Sequence, residues 1–241
     1  MIVRAWLYFF AQGINNGKWT ANRNGCRINY FVAYAYPLLL DVSDRLVVIV
    51  GGGNVAARKA GGLIAAGARR IRCVAPEFSA DLPAAVDRIK EQYASRHLEG
   101  AGLVFAATDR NDVNDAVVRD ARQRGILVNR ADADDAEPGD FATPAKLEQG
   151  AVIVSVSAGS AALSAAIRDD LARKLDARFM KMADAMRLLR PVIRESSLPA
   201  DQRATIFRQL AADEALSVLD AGGIDALRGW LAERYPELKH A

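Results

Sequence analysis

The chain has 241 residues, 51% hydrophobic and 25% charged, which suffices for one full core plus a smaller satellite unit and excludes a disordered or fibrous class. Its 32 basic and 29 acidic residues leave a formal charge of +3, too balanced for general nucleic-acid binding. Two cysteines, Cys26 and Cys73, and two histidines, His97 and His240, supply neither a disulfide framework nor a metal cage, so no metal ligands are expected and a reducing, cytoplasmic setting fits.

Residues 1–36 read as a disordered extension. The apolar run Trp6-Leu7-Tyr8-Phe9-Phe10-Ala11 is cut off by Asn15-Asn16-Gly17-Lys18, well short of the ~20 residues a membrane span needs, and no small-residue cleavage site follows it. No membrane partner is expected. Residues 45–50 then form a buried strand and 54–66 a helix, with Gly67 placed to cap it in a left-handed turn. Residues 70–75 predict a second strand, 79–89 a helix, 92–95 a short third strand and 103–107 a fourth. A helix over 111–124, with Val113, Val117 and Ala121 on one face, ends at Gly125 and leads to a fifth strand at 126–128. Such alternation demands a parallel sheet with helices on both faces.

Beyond it the pattern changes. Residues 141–145 and 151–157 flank Glu148-Gln149-Gly150 as a hairpin, and helices are predicted over 161–175, 177–189, 200–212 and 224–234, with breaks at Pro191, Pro199 and Pro236. The fold class is α/β: a Rossmann-like parallel-sheet domain, a small hairpin-plus-helix unit and a helical C-terminal domain. No period of 20–50 residues repeats.

Between the first strand and helix, Gly51, Gly53 and Ala56 form a G-x-G-x-x-A turn. The first glycine lets the chain leave the strand sharply, the second lets backbone N–H groups approach a pyrophosphate, and the small third residue lets the helix pack closely on the strand. Ligands of open parallel sheets bind beyond the carboxyl ends of the strands, which directs attention to four positions. Asn54 and Val55 offer backbone N–H groups to the pyrophosphate, a role compatible with Asn54 being an N-cap. Pro76-Glu77 follows the second strand, where an acidic residue bonds a ribose 2′-hydroxyl and favours NAD over NADP; a solvated loop carboxylate is the alternative. Thr108-Asp109 either touches the nicotinamide side or begins the next helix. Asp132, after Asn129-Arg130-Ala131, is the general-base candidate. Cys73 reads as a buried inert thiol. In the helical part, Lys174/Arg178/Lys181 and Arg187/Arg190/Arg194 fall on shared helical faces suited to an anionic ligand or, equally, to solvent.

These residues carry a family resemblance. Tyr36-Pro37-Leu38-Leu39-Leu40, Val48-Ile49-Val50-Gly51-Gly52-Gly53-Asn54-Val55-Ala56-Ala57-Arg58-Lys59-Ala60, Val74-Ala75-Pro76-Glu77, Phe105-Ala106-Ala107-Thr108-Asp109 with Asn114, Val128-Asn129 with Asp132, and Asp140-Phe141-Ala142-Thr143-Pro144-Ala145 occur in order. Over roughly residues 36–190 the chain resembles the N-terminal half of siroheme synthase and its stand-alone relatives, the precorrin-2 dehydrogenases. The resemblance implies oxidation of precorrin-2 to sirohydrochlorin with NAD in siroheme biosynthesis, and several members also insert ferrous iron. It places NAD contacts on Asn54, Val55, Pro76 and Glu77 and the essential aspartate on Asp132. It also implies a cytoplasmic homodimer that exchanges the segment after the dinucleotide domain. The expected division is thus 1–36 extension, 37–141 NAD-binding domain, 142–177 dimerisation segment and 178–241 helical domain. One departure stands out: the turn Ser157-Ala158-Gly159-Ser160 has alanine where some members carry a phosphorylated serine. Two rivals remain: a non-catalytic NAD-sensing regulatory module, and a short-chain alcohol dehydrogenase. The second rests on Tyr235 and Lys239, but Pro236 interrupts the helix that pair needs.

Overall fold

The computed structural model describes residues 36–131 and 139–238. The expectations for residues 1–35, Asp132 and Lys239 lie outside the described residues. A five-stranded, all-parallel sheet is built from β1 (Leu46–Val50), β2 (Arg70–Val74), β3 (Asp87–Ile89), β4 (Leu103–Ala106) and β5 (Val128–Arg130), in the order β3-β2-β1-β4-β5. Every residue of β1 is buried, because each face of a central parallel strand is covered. On one face Val47, Ile49, Ile71, Cys73, Leu103 and Phe105 pack against Ala56, Ala57, Ala60 and Leu63 of α1 (Asn54–Ala65). On the other, Val48, Val50, Val74, Val104 and Val128 meet Val117, Val118 and Ala121 of α2 (Asn111–Gln123).

Both helices stop in the same way. Gly67 (φ 86°) and Gly125 (φ 68°) are left-handed, and the residues after them donate back to Leu63 and Ala121 at 3.0 and 2.9 Å. That motif consumes Ile126, so the fifth strand starts at Val128 and not at residue 126. The helix expected over 79–89 does not form. Pro83 removes a donor in its middle, and the chain instead turns at Ser79, buries Leu82 and Val86, and enters β3 beside β2. The third strand accordingly lies at Asp87–Ile89, while 92–95 lead into a single 3-10 turn, Ser95–Leu98.

Past the sheet, β6 (Ala145–Gln149) and β7 (Val152–Val156) form an antiparallel hairpin around Gly150 (φ 55°). Residues 141–144, expected to be part of its first strand, are a strap leading into it. Helices α3 (Ala161–Lys174), α4 (Ala177–Glu195), α5 (Ala200–Leu210) and α6 (Asp213–Arg234) follow. Pro191 does not break α4: it and Arg187, whose carbonyl loses its donor, are both exposed, so the lost bond lies on the solvent face of the helix. Within α6 two helical stretches meet at the non-helical Gly223 (φ 69°), so the helix expected over 224–234 forms and a further one precedes it, whose Leu216 and Leu219 are buried beside Leu227, Trp230 and Leu231. These join Met182, Leu189 and Ile193 of α4 and Ile206 and Leu210 of α5 in a separate core. Among the described residues no helix is long and apolar enough to cross a membrane.

Candidate functional site

Strand β1 has β2 on one side and β4 on the other, so the chain reverses direction across the sheet at the carboxyl ends of β1 and β4, where such sheets open a crevice. Three loops converge there. Gly51 N–H donates to the Val74 carbonyl at 2.9 Å and Ala107 N–H to the Val50 carbonyl at 2.8 Å. Gly51 (φ 121°) lies so close to the β4 loop that an added Cβ would sit 2.3 Å from the Ala107 oxygen. At Gly52 the same atom would sit 1.9 Å from the Glu77 oxygen, and Ser79 N–H donates to the Gly52 carbonyl at 2.7 Å. Around Gly53 nothing lies within 4 Å of the Cβ position. Sequence reasoning picked Gly51 and Gly53 but passed over Gly52, whose Cβ site is the most obstructed of the three; the run of three glycines was the available signal.

Gly53 is the N-cap of α1, and the first helical bond is Ala57 N–H to the Gly53 carbonyl at 3.0 Å. The N–H groups of Asn54, Val55 and Ala56 thus have no acceptor within the helix, and no side chain caps them. This corrects the N-cap reading of Asn54: its side-chain oxygen accepts from Ser79 Oγ at 3.0 Å. An uncapped, positive helix end facing open space at Gly53 fits a diphosphate. Beneath it the Cys73 thiol donates to the Gly51 carbonyl at 3.1 Å, and burial pushes its pKa up to about 11, so it is inert at neutral pH.

Pro76 and Glu77 are exposed at the rim, and the Glu77 carbonyl lies close against Gly52. Thr108 is locked from within. Its N–H and hydroxyl donate to Asn114 Oδ1 at 3.2 and 2.7 Å, and its carbonyl accepts from Asn114 Nδ2 at 3.0 Å. Asn114, buried completely on α2, therefore shapes the β4 loop. Asn114→Leu is expected to destabilise the chain by ~1–3 kcal/mol, since the half-buried backbone groups of Thr108 lose their partner. A chemical denaturation midpoint equal to wild type would refute this.

The β5 edge is tied as firmly. Ala131 N–H donates to the Ala106 carbonyl at 3.0 Å, and buried Arg130 pairs with Asp115. On the return path Asp140 accepts from Arg122 Nε at 2.9 Å and from Val128 N–H at 3.1 Å. The residues on either side of 132–138 are thus fastened to β4 and β5.

Of the two cationic faces in the helical part, that of Lys174, Arg178 and Lys181 is neutralised locally. Lys174 pairs with Asp170 at 2.7 Å, Arg178 with Asp176 at 2.8 Å and Asp213 at 2.9 Å, and Lys181 with Asp220 at 2.6 Å. Arg190 stacks on Phe207 at 5.6 Å. In the turn before α3, Ser160 Oγ accepts from Leu163 N–H at 3.1 Å, and Ser164 Oγ takes the Ala158 N–H at 2.9 Å. Among the described residues no group of three or more His, Cys, Asp or Glu side chains could hold a metal.

A family model described as "Putative NAD(P)-binding" matches residues 38–145. The chain is 37% identical over 155 residues to the siroheme synthase of Chromobacterium violaceum, covering 61% of this chain and 32% of that protein. Siroheme synthase 2 of Aeromonas hydrophila is 31% identical over 210 residues, covering 85% and 44%. The chain thus spans about a third to under half the length of these curated relatives. Among solved structures, "SirC, precorrin-2 dehydrogenase" superposes with a TM-score of 0.67 at 23% identity, covering 83% of this chain and all of that one, and shares the fold.

Proposed function

We propose that the chain belongs to the family of the siroheme synthases and precorrin-2 dehydrogenases and oxidises precorrin-2 to sirohydrochlorin with NAD in siroheme biosynthesis, in the cytoplasm. The observation that carries this reading is the open Gly53 position before the uncapped start of α1, at the crevice between β1 and β4. Gly51, Gly53 and the N–H groups of Asn54 and Val55 hold the pyrophosphate, Pro76 and Glu77 face the ribose, and the Thr108 loop borders the nicotinamide side. Bound NAD supplies the hydride acceptor. Asp132, next in sequence after the anchored Ala131, takes the proton that leaves the macrocycle with the hydride, and positioning accounts for most of the remaining rate. Incubating the chain with precorrin-2 and NAD should yield NADH and sirohydrochlorin in equal amounts. NAD binding without NADH formation would instead support a sensing module. Ferrous iron added afterwards, as a second substrate, tests metal insertion separately.

The division into a dinucleotide-binding unit at 37–141, a dimerisation segment at 142–177 and a helical unit at 178–241 belongs to the same proposal. On α3, Leu163, Ile167 and Leu171 recur at helical spacing with 51%, 38% and 41% of their surfaces exposed, and Ile153 on β7 is 50% exposed. An apolar stripe of this kind supports pairing with a second copy of the chain. Ile167→Glu is expected to convert the dimer to a monomer in sedimentation velocity, with little change in the fold because the side chain lies outside the cores. A wild-type chain that sediments as a monomer would remove the dimer from the proposal.

A further inference from the structure

The extensively packed pairs of elements lie either among β1–β5, α1 and α2 or among β6, β7 and α3–α6. A strap, residues 139–144, joins the two groups. Its first anchors are all on the sheet side: Asp140 on Val128 and Arg122, the Phe141 carbonyl on Asn129 Nδ2 at 2.8 Å, and the Phe141 ring edge-on to Phe105 at 5.5 Å. The last anchor is made by α1. Lys59 Nζ donates to Thr143 Oγ1 at 2.7 Å, two residues before β6, and Lys59 belongs to the helix whose first turn forms the diphosphate cradle.

Lys59 is half-buried and has no carboxylate partner among the described residues; its ammonium lies 5.3 Å from the centre of the Phe105 ring, a cation–π contact, beside the bond to Thr143. Burial, helped by neighbouring Arg58, pulls its pKa down to about 8. A lysine depressed in the folded state binds fewer protons than in the unfolded chain, so its charged form weighs against folding below about pH 8 and that burden lifts as the pH rises. Asn129 carries a local cost: its Nδ2 holds the strap while its Oδ1 is buried with no hydrogen-bond partner among the described residues. Two polar side chains thus hold the strap, Asn129 from within the core and Lys59 from its half-buried edge, where Thr143 is exposed.

We propose that Lys59 is a positioning residue: by gripping Thr143 it sets how the hairpin and helices β6–α6 are carried relative to the nucleotide-binding helix α1, and so where the macrocycle is presented to the dinucleotide. The part concerning the macrocycle rests on the dehydrogenase reading. A residue that merely supported the fold would lose stability and activity together, whereas a positioning residue separates them.

The test compares Lys59→Met, which keeps the stem over Phe105, with Thr143→Val, the double variant and Lys59→Arg. Lys59→Met should match or exceed the wild-type melting temperature and keep its NAD affinity, while kcat with precorrin-2 falls about tenfold or more. The double variant should fall no further than either single one, and Lys59→Arg should recover most of the rate. Unchanged turnover in Lys59→Met, a joint loss of stability and NAD affinity, or losses that multiply in the double variant would each overturn the proposal. If the wild-type chain fails to oxidise precorrin-2, the dehydrogenase reading falls but the positioning claim is still decided by geometry. Spin labels at Arg58→Cys and Leu188→Cys, in a Cys26→Ser background, should give a distance distribution that broadens or shifts with Lys59→Met; an identical distribution overturns it.

Discussion

Gly53→Asp is expected to abolish dinucleotide binding, weakening NAD about a hundredfold or more, or ~3 kcal/mol, with the melting temperature at or slightly above that of wild type. Position 53 has ordinary extended dihedrals (φ −79°, ψ −171°) and no atom within 4 Å of its Cβ site, so an aspartate enters without strain. It also lands at the N-cap of α1, where a carboxylate accepts from the free N–H groups and stabilises a helix by ~1 kcal/mol. Those are the groups a diphosphate needs, and the new negative charge repels the ligand as well. Fold and binding therefore separate at this residue. Gly52→Ala is the contrasting case: its Cβ would collide with the Glu77 carbonyl at 1.9 Å, so the β2 loop must move and stability falls along with affinity. Calorimetry with NAD decides the matter, and an unchanged dissociation constant for Gly53→Asp would dismiss the turn as the binding site.

The second large effect is expected at Asp132. Asp132→Ala should lower kcat for precorrin-2 oxidation by ~10²–10⁴, the usual contribution of a positioned proton acceptor, while NAD affinity and sedimentation stay as in wild type. The support comes from its neighbours. Ala131 is hydrogen-bonded to Ala106 at the end of β4, Arg130 is pinned by Asp115, and Asp140 closes onto Val128 on the far side of the segment. A carboxylate following that anchor starts from the same strand ends that border the cradle. Asp132→Asn separates charge from shape: it should be as slow as the alanine variant if proton transfer is the role, and near wild type if hydrogen bonding alone is. Near-normal turnover in both variants would dismiss Asp132 from the chemistry.

How far these sites could be read before folding depends on the range of the interactions that make them. The all-apolar run of β1, the 3.6-residue spacing of α2 and the left-handed glycines after both βαβ helices act over a few residues, so they are legible locally. The segment 79–89 misled because its composition suits a helix while Pro83 and the β2 edge draw it into a turn and a strand. The basic trio at 174, 178 and 181 looked like an anion-binding face until its carboxylate partners were brought alongside, two of them, Asp213 and Asp220, from another helix.

The amino-acid order alone determined the parallel-sheet class, the position of the phosphate turn and the change to hairpin and helices after it, because hydrophobic period and glycine placement are properties of neighbouring residues. Only the tertiary structure decided that Gly52 rather than Gly53 is enclosed by protein, that Asn114 holds Thr108, and that Lys59 reaches Thr143 across a separation of 84 residues. Each of these depends on how closely two distant stretches of backbone approach, and that distance is set by the packing of the cores between them.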